Sequence, residues 1–361
     1  MRPSFERAET AHNNFDFLRF FLASCVVFTH SFNLLYGDNT DPLGVATRGA
    51  MGLGGEAVNF FFIISGFLIT KSWLSRPEPG VFLRKRILRI YPAFIVVVFL
   101  CVFLVGPLGA ESAVAYFGNL DYLKFLTDTP RLKLQHLPPT FTDNPMPGMV
   151  NGSLWTIRYE FLCYLAVAVL GLAAAFRHRV VVLALFLLAL GLFVWRGVLA
   201  ESGQQLPYLL DKLGQWPRLL SCFLAGMAFY LYRQRIPFDA RLFLAALLLF
   251  FVAAFHLRLA ALATPLFGAY VVLYLAFSRG LKLQNFGKYG DFSYGIYLYS
   301  FPLQQLLSLY LGEMLNGMTM FMLSLGGSVA LAALSWHYVE KPCLRLKPGL
   351  PRPSRLAPEL R

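Results

Sequence analysis

Two ionisable side chains interrupt an otherwise apolar stretch near the start of the chain. Arg19 closes the segment Phe15-Asp16-Phe17-Leu18-Arg19, and His30 stands in Thr29-His30-Ser31. At 100° per residue, their spacing returns to within about 20° of whole turns, so on a helix both lie on one face, about 16 Å apart along the axis. Charged groups inside a membrane span are costly and face a protein interior or a wet cavity. An imidazole that titrates near neutrality suits a general base, and a cation nearby favours its neutral form. A third group, Glu160, closes the run Asn151-Gly152-Ser153-Leu154-Trp155-Thr156-Ile157-Arg158-Tyr159-Glu160. It falls a turn or more inside a later apolar segment, where a carboxylate needs a partner. Arg158, Arg19 and His30 are the candidates.

A different chemistry is offered by Phe82-Leu83-Arg84-Lys85-Arg86-Ile87-Leu88-Arg89. Guanidinium groups fork onto phosphate, so Arg86 and Arg89 suit either the phosphates of a nucleotide-like substrate or anionic lipid headgroups. Asn59, Ser65 and Trp155 are polar or aromatic positions from which a substrate path would be lined. Ser65 and its neighbour Gly66 equally suit close helix packing, and Trp155 an interfacial belt. The five cysteines form neither a CxxC nor a Cys/His ligand pattern, so no metal site or disulfide framework is expected.

The elements that must position these groups are helices in a membrane. Of the 361 residues, 57% are hydrophobic and 14% charged, far from the composition of a soluble domain, and mean hydropathy is +0.57. A span needs about 20 apolar residues. About ten segments qualify, from Phe15–Leu35 to Met318–Tyr338, which predicts an all-α polytopic bundle over residues 1–340. The seventh and eighth nearly touch, as in a tight helical hairpin. The first apolar run is too long for a signal peptide and is read as a retained helix. Residues 341–361, rich in Pro and Arg, read as a disordered cytoplasmic tail. The net charge of +13 is spread in short clusters between apolar runs, which fits membrane topology rather than a nucleic-acid groove. Most Lys and Arg fall on the N-terminal side of the alternating segments, so both termini are assigned to the cytoplasm. The Pro- and polar-rich loop Gly109–Ser153 is then external, a candidate for carrying function.

Taken in order, these segments resemble the type 3 acyltransferase family of bacterial membrane proteins, which O-acylate polysaccharides, lipopolysaccharide and related glycoconjugates. The resemblance is carried by Arg19 and His30, by Phe61-Phe62-x-x-Ser65-Gly66-Phe67-Leu68-Ile69, by Arg86-x-x-Arg89, by Ser153-Leu154-Trp155-x-x-x-x-Glu160, by Ser293-Tyr294-x-x-Tyr297-Leu298, and by Tyr338-x-Glu340-Lys341-Pro342. It covers nearly the whole chain. It implies a catalytic His30 with Arg19 beside it and Glu160 in support. It also implies Arg86 and Arg89 at a cytoplasmic mouth binding acyl-CoA, most simply acetyl-CoA, as donor, and a glycan or glycolipid acceptor in a bacterial inner membrane. Two positions depart from the pattern. Asn59 stands where relatives commonly carry an acidic residue, with Glu56 one turn earlier, and Ser300 stands where many carry His. Many relatives also carry a fused hydrolase-like domain, for which this length leaves no room. Composition alone would equally suit a transporter or flippase of a lipid-linked sugar or anionic solute.

The charge asymmetry predicts a labelling pattern. A cysteine introduced near Lys124 should react with an impermeant thiol reagent in cells with a permeabilised outer membrane, and one near Arg84 should not. The reverse pattern overturns the orientation.

Overall fold

The computed structural model describes residues 4–6, 13–133, 137–255 and 260–346. Ten principal helices run through it: α1 Phe15–Tyr36, α2 Leu53–Ser75, α3 Pro79–Leu100, α4 Trp155–Leu172, α5 Arg179–Glu201, α6 Trp216–Tyr232, α7 Ala240–Phe255, α8 Ala269–Phe277, α9 Ser293–Leu311 and α10 Gly317–Ser335. Among the described residues the only β pairing is an isolated bridge, Ser4 to Pro237. Wider π-helical turns extend α3 (Cys101–Val105), precede α8 (Ala263–Gly268) and extend α10 (Trp336–Glu340).

Among the described residues, six helices are long and apolar enough to cross a membrane: α1, α2, α3 with its extension to Gly109, α4, α5, and α10 with its extension to Arg345. α7 and the segment Ala263–Phe277 are apolar but shorter. The sequence reading of about ten spans therefore meets six by length and composition. α9 reads as too polar for a reason visible in its packing. Gln304 is fully buried, and its amide donates to Val27 O (2.9 Å) and Ser31 Oγ (2.8 Å) of α1 and to Ser324 Oγ (3.2 Å) of α10. A central helix with helical neighbours can carry such groups, because interhelical hydrogen bonds satisfy them away from lipid. The tail expected from residue 341 is corrected in part, since Lys341–Arg345 is helical and prolongs α10. Residues 347–361 lie outside the described residues, as do residues 256–259, where the tight hairpin was expected.

Consecutive helices run antiparallel. Gly54 N, at the start of α2, donates to Thr29 Oγ1 near the end of α1 (2.7 Å). The end of the bundle where α1 begins is called proximal here, and the other distal. The closest crossing is between α2 and α6. A Cβ on Gly66 would sit 2.0 Å from Phe223 O, and one on Gly226 would sit 2.0 Å from Ile63 O. The two glycines thus let each backbone lie directly against the other. This contact fixes the depth of α2, which carries Glu56, Asn59 and Ser65.

The stretch 137–154, expected to be an external loop, folds down into the distal end. Leu137, Thr140, Phe141, Asn144, Val150, Asn151, Ser153 and Leu154 are buried. Its irregular backbone is held by α9: Asn144 Nδ2 donates to Gln305 Oε1 (2.6 Å), Gln305 Nε2 donates to Met149 O (2.6 Å), and Asn151 Nδ2 donates to Leu298 O (2.9 Å). Non-helical backbone at such depth requires protein partners of this kind.

Replacing Gly226 by Ala should force the α2–α6 crossing apart. Overpacking of this sort destabilises by about 1–3 kcal/mol. A thermal unfolding scan in detergent should show a clear drop for Gly226→Ala. It should show none for Gly191→Ala, where a Cβ meets nothing.

Candidate active site

Two cavities enter the bundle from opposite ends. The proximal cavity, about 160 Å³, is walled by apolar side chains of α2, α3 and α4, with Arg19, Arg86, Arg89 and Glu160 as its charged lining. The distal cavity, about 650 Å³, holds His30, Glu56, Asn59, Ser153, Trp155 and Arg218. Val58 and Tyr297 line both.

Arg19 and Arg89 belong to one network. Arg19 Nη2 pairs with Asp16 Oδ1 (2.5 Å) and Asp291 Oδ2 (3.3 Å). Arg89 Nη2 pairs with the same Asp291 oxygen (2.6 Å), and Arg89 Nη1 with Glu340 Oε2 (3.4 Å). Glu340 in turn accepts from Ser335 Oγ (3.2 Å), which accepts from Tyr299 OH (3.1 Å). Asp291 Oδ1 accepts from the hydroxyl and amide of Ser293. Burial alone would push the Asp291 carboxyl up. The charges of Arg89 and Arg19 and the Ser293 hydrogen bonds outweigh it and hold the group well below the usual carboxylate range.

Arg86 differs from Arg89. Its Nη2 donates to Ser72 Oγ (2.9 Å), its guanidinium rests near the rings of Phe82 and Tyr164, and its Nε has no partner. Of the two arginines read as phosphate ligands, Arg86 retains an uncommitted donor, while Arg89 is held by two carboxylates. Glu160 lies in this same cavity. It accepts from Ser65 Oγ (3.3 Å) and from Tyr164 OH. Its partner is therefore none of the three expected, and Arg158 is exposed.

His30 opens to the distal cavity instead. Its ring meets Phe301 edge-on, with centroids 4.9 Å apart, and its Nδ1 is buried without a hydrogen-bond partner. Arg19 and His30 share α1 as the spacing implied, yet they line different cavities, and Glu160 is separated from His30 in the same way. The cations in the lining of His30's own cavity are Arg48 and Arg218. Glu56 accepts from Thr264 Oγ1 and from Asn59 Nδ2 (3.2 Å), and Arg218 lies over the Trp155 ring, 5.9 Å from its centroid. Asn59 Oδ1, Ser153 Oγ and Arg218 Nε are buried and unpartnered. Such atoms around a wet cavity are available to a ligand. Glu56 had been noted only for its offset from the family pattern. Arg218, Tyr164 and Asp291 were missed, although Arg218 stands out as a cation at the head of an apolar run. No group of three or more His, Cys, Asp or Glu side chains that could hold a metal occurs among the described residues.

A family model described as an acyltransferase domain, of the type 3 group, matches residues 12–337. The chain belongs to that family and is a multi-pass membrane acyltransferase. It is similar to Nodulation protein 10 of Rhizobium leguminosarum bv. viciae, 29% identical over 97% of this chain and 98% of the relative. It is also similar to an O-acetyl transferase of Shigella phage Sf6, 28% identical over 91% of this chain and 95% of that one. No solved structure matches. Membership decides against the transporter alternative.

Asp291 joins two arginines from different helices, so removing its charge leaves Arg19 with Asp16 alone and Arg89 with Glu340 alone. Breaking a buried pair by deleting one partner costs about 3–5 kcal/mol. Asp291→Asn should lower the melting temperature markedly at neutral pH. Because the folded carboxyl titrates below its unfolded value, its stabilisation is present above the ordinary carboxylate pKa and fades as pH falls beneath it. The gap between wild type and Asp291→Asn should accordingly narrow in acid. A gap independent of pH contradicts the network's role.

Proposed function

We propose that the protein moves an acyl group, acetyl in the simplest case, from cytoplasmic acyl-CoA to a hydroxyl of a cell-surface glycan or glycolipid in a bacterial inner membrane. The chain crosses about ten times, with both termini and the proximal end in the cytoplasm. Lys and Arg crowd that side, as the positive-inside rule requires. The observation that carries the reading is the pairing of cavities: a cationic one at the proximal end and a polar one containing His30 at the distal end, meeting in mid-bundle.

Arg86 binds the donor's phosphates through its free guanidinium edge. Arg89, fixed by Asp291 and Glu340, and Arg19 add positive potential at the mouth. The pantetheine arm runs inward past Ser65 and Glu160. On the distal side, His30 takes the proton from the acceptor hydroxyl as its oxygen attacks the thioester carbonyl. The new C–O bond forms, the C–S bond breaks, and the thiolate leaves as CoA, recovering the proton that His30 held. The buried donors and acceptors of Asn59, Ser153 and Arg218, with Trp155 beside them, suit a sugar held by hydrogen bonds. The phage relative is named an O-acetyl transferase, which supports acetyl as the group and oxygen as the acceptor atom.

His30→Ala should abolish incorporation of radiolabelled acetyl from acetyl-CoA into envelope glycan, with expression and melting temperature near wild type. Loss of a general base lowers the rate by about 10²–10⁴. Retention of more than about a tenth of the wild-type rate lies outside that range and would remove His30 from the chemistry.

A further inference from the structure

The late motif Ser293-Tyr294-x-x-Tyr297-Leu298 has no part in the chemistry so far, yet one of its residues stands between the two cavities. Tyr297 projects from α9 and lines both, as Val58 does from α2. The Tyr297 hydroxyl is hydrogen-bonded to Thr156 Oγ1 at 2.6 Å, and both side chains are buried. Thr156 is the second residue of α4. It faces the proximal cavity, while Trp155 just before it faces the distal one. A phenol ring, an isopropyl group and a buried hydroxyl pair, contributed by three helices, thus form a septum between the cationic cavity and the histidine.

Resting on the acyl-CoA reading above, we propose that Tyr297, latched by Thr156, is the specificity-determining residue through which the donor's acyl group must pass, and that it admits short acyl groups and resists longer ones. Arg86 and His30 lie on opposite sides of this septum, so a thioester anchored at the first reaches the second only by displacing the ring. The latch is a single hydrogen bond, whose net contribution to stability is modest. Binding of the pantetheine arm can open it. Each further methylene on the acyl chain must be accommodated between Tyr297 and Val58, in a wall packed by Phe61, whose ring lies 6.4 Å from that of Tyr297. Close-packed surroundings of this kind yield little to added volume.

The test compares kcat/KM for CoA release from acetyl-CoA and butyryl-CoA, using membranes that carry each variant. Tyr297→Ala should raise the butyryl-to-acetyl ratio by about tenfold or more, the scale on which one or two methylenes are discriminated in a tight apolar site. Tyr297→Phe, which keeps the ring and frees it from Thr156, should raise the ratio less, and Thr156→Val should match it. Both single-hydroxyl variants keep the septum's bulk, so they decide the question if Tyr297→Ala fails to fold. If variants lose activity toward both donors in proportion, with the ratio unchanged, Tyr297 is structural or a hydrogen-bond donor to the reacting carbonyl, and the septum is excluded. A wild-type protein that releases no CoA from either donor overturns the acyl-CoA reading itself. A wild type active on acetyl-CoA with indifferent variants overturns only the septum.

Discussion

Charge buried between helices has to be balanced where it stands, and at the proximal end that requirement falls on Asp291. Its carboxylate meets Arg19 of α1 and Arg89 of α3, while Glu340, beyond the end of α10, meets Arg89 from the other side. Helices distant in sequence are tied at one level by groups that none of them could keep alone in a low-dielectric setting. The network also orients the cavity. With Arg89 committed to carboxylates, the uncommitted guanidinium edge at the mouth is that of Arg86. The ion pairs therefore do two things: they set the level of the helix ends, and they leave Arg86, whose Nε has no partner, to face a ligand.

From that fixed end the bundle is built outward. The Gly66–Gly226 crossing sets the depth of α2, and the Gln304 hydrogen bonds set α9 between α1 and α10. Together these bring Val58 and Tyr297 to the same level, with Thr156 against the phenol. Arg86 and His30 consequently open in opposite directions although they belong to one bundle. The transfer proposed above, which joins a donor from one side of a membrane to an acceptor on the other, needs this arrangement. A single open channel would let ions leak, and a closed core would admit neither substrate.

Much of this was legible in the residues. The eleven-residue spacing of Arg19 and His30 identified one helical face, and the apolar runs identified a helical membrane bundle. What the spacing could not show was the septum between them, since Val58, Thr156 and Tyr297 come together only in three dimensions. Glu160 was misassigned a partner for the same reason. Ser65 was read for a substrate path or helix packing and Tyr164 was not singled out, while the residues proposed for Glu160 either face another cavity, sit in the ion network or are exposed. The ion pairs of Arg89 were not legible because its carboxylates lie 202 and 251 residues away. α9 falls below a spanning hydropathy because a helix enclosed by protein need not be greasy. The loop 137–154, polar and proline-rich, gave no sign of its burial, because the α9 residues that hydrogen-bond to it lie far on in the chain.

That inserted loop has a consequence for biogenesis. Asn144 is separated from its partner Gln305 by 161 residues, so the segment leaves the ribosome long before the helix that receives it. Until α9 has entered the bilayer, its buried amides have no protein partners and must remain hydrated outside the lipid. Contacts of such long sequence separation form late. The distal cavity is therefore finished last, after most of the bundle is already in the membrane. A defect in α9 would leave a chain that is inserted and helical but lacks the floor of its distal cavity, a species that quality-control proteases working at the membrane surface could seize by the undocked loop.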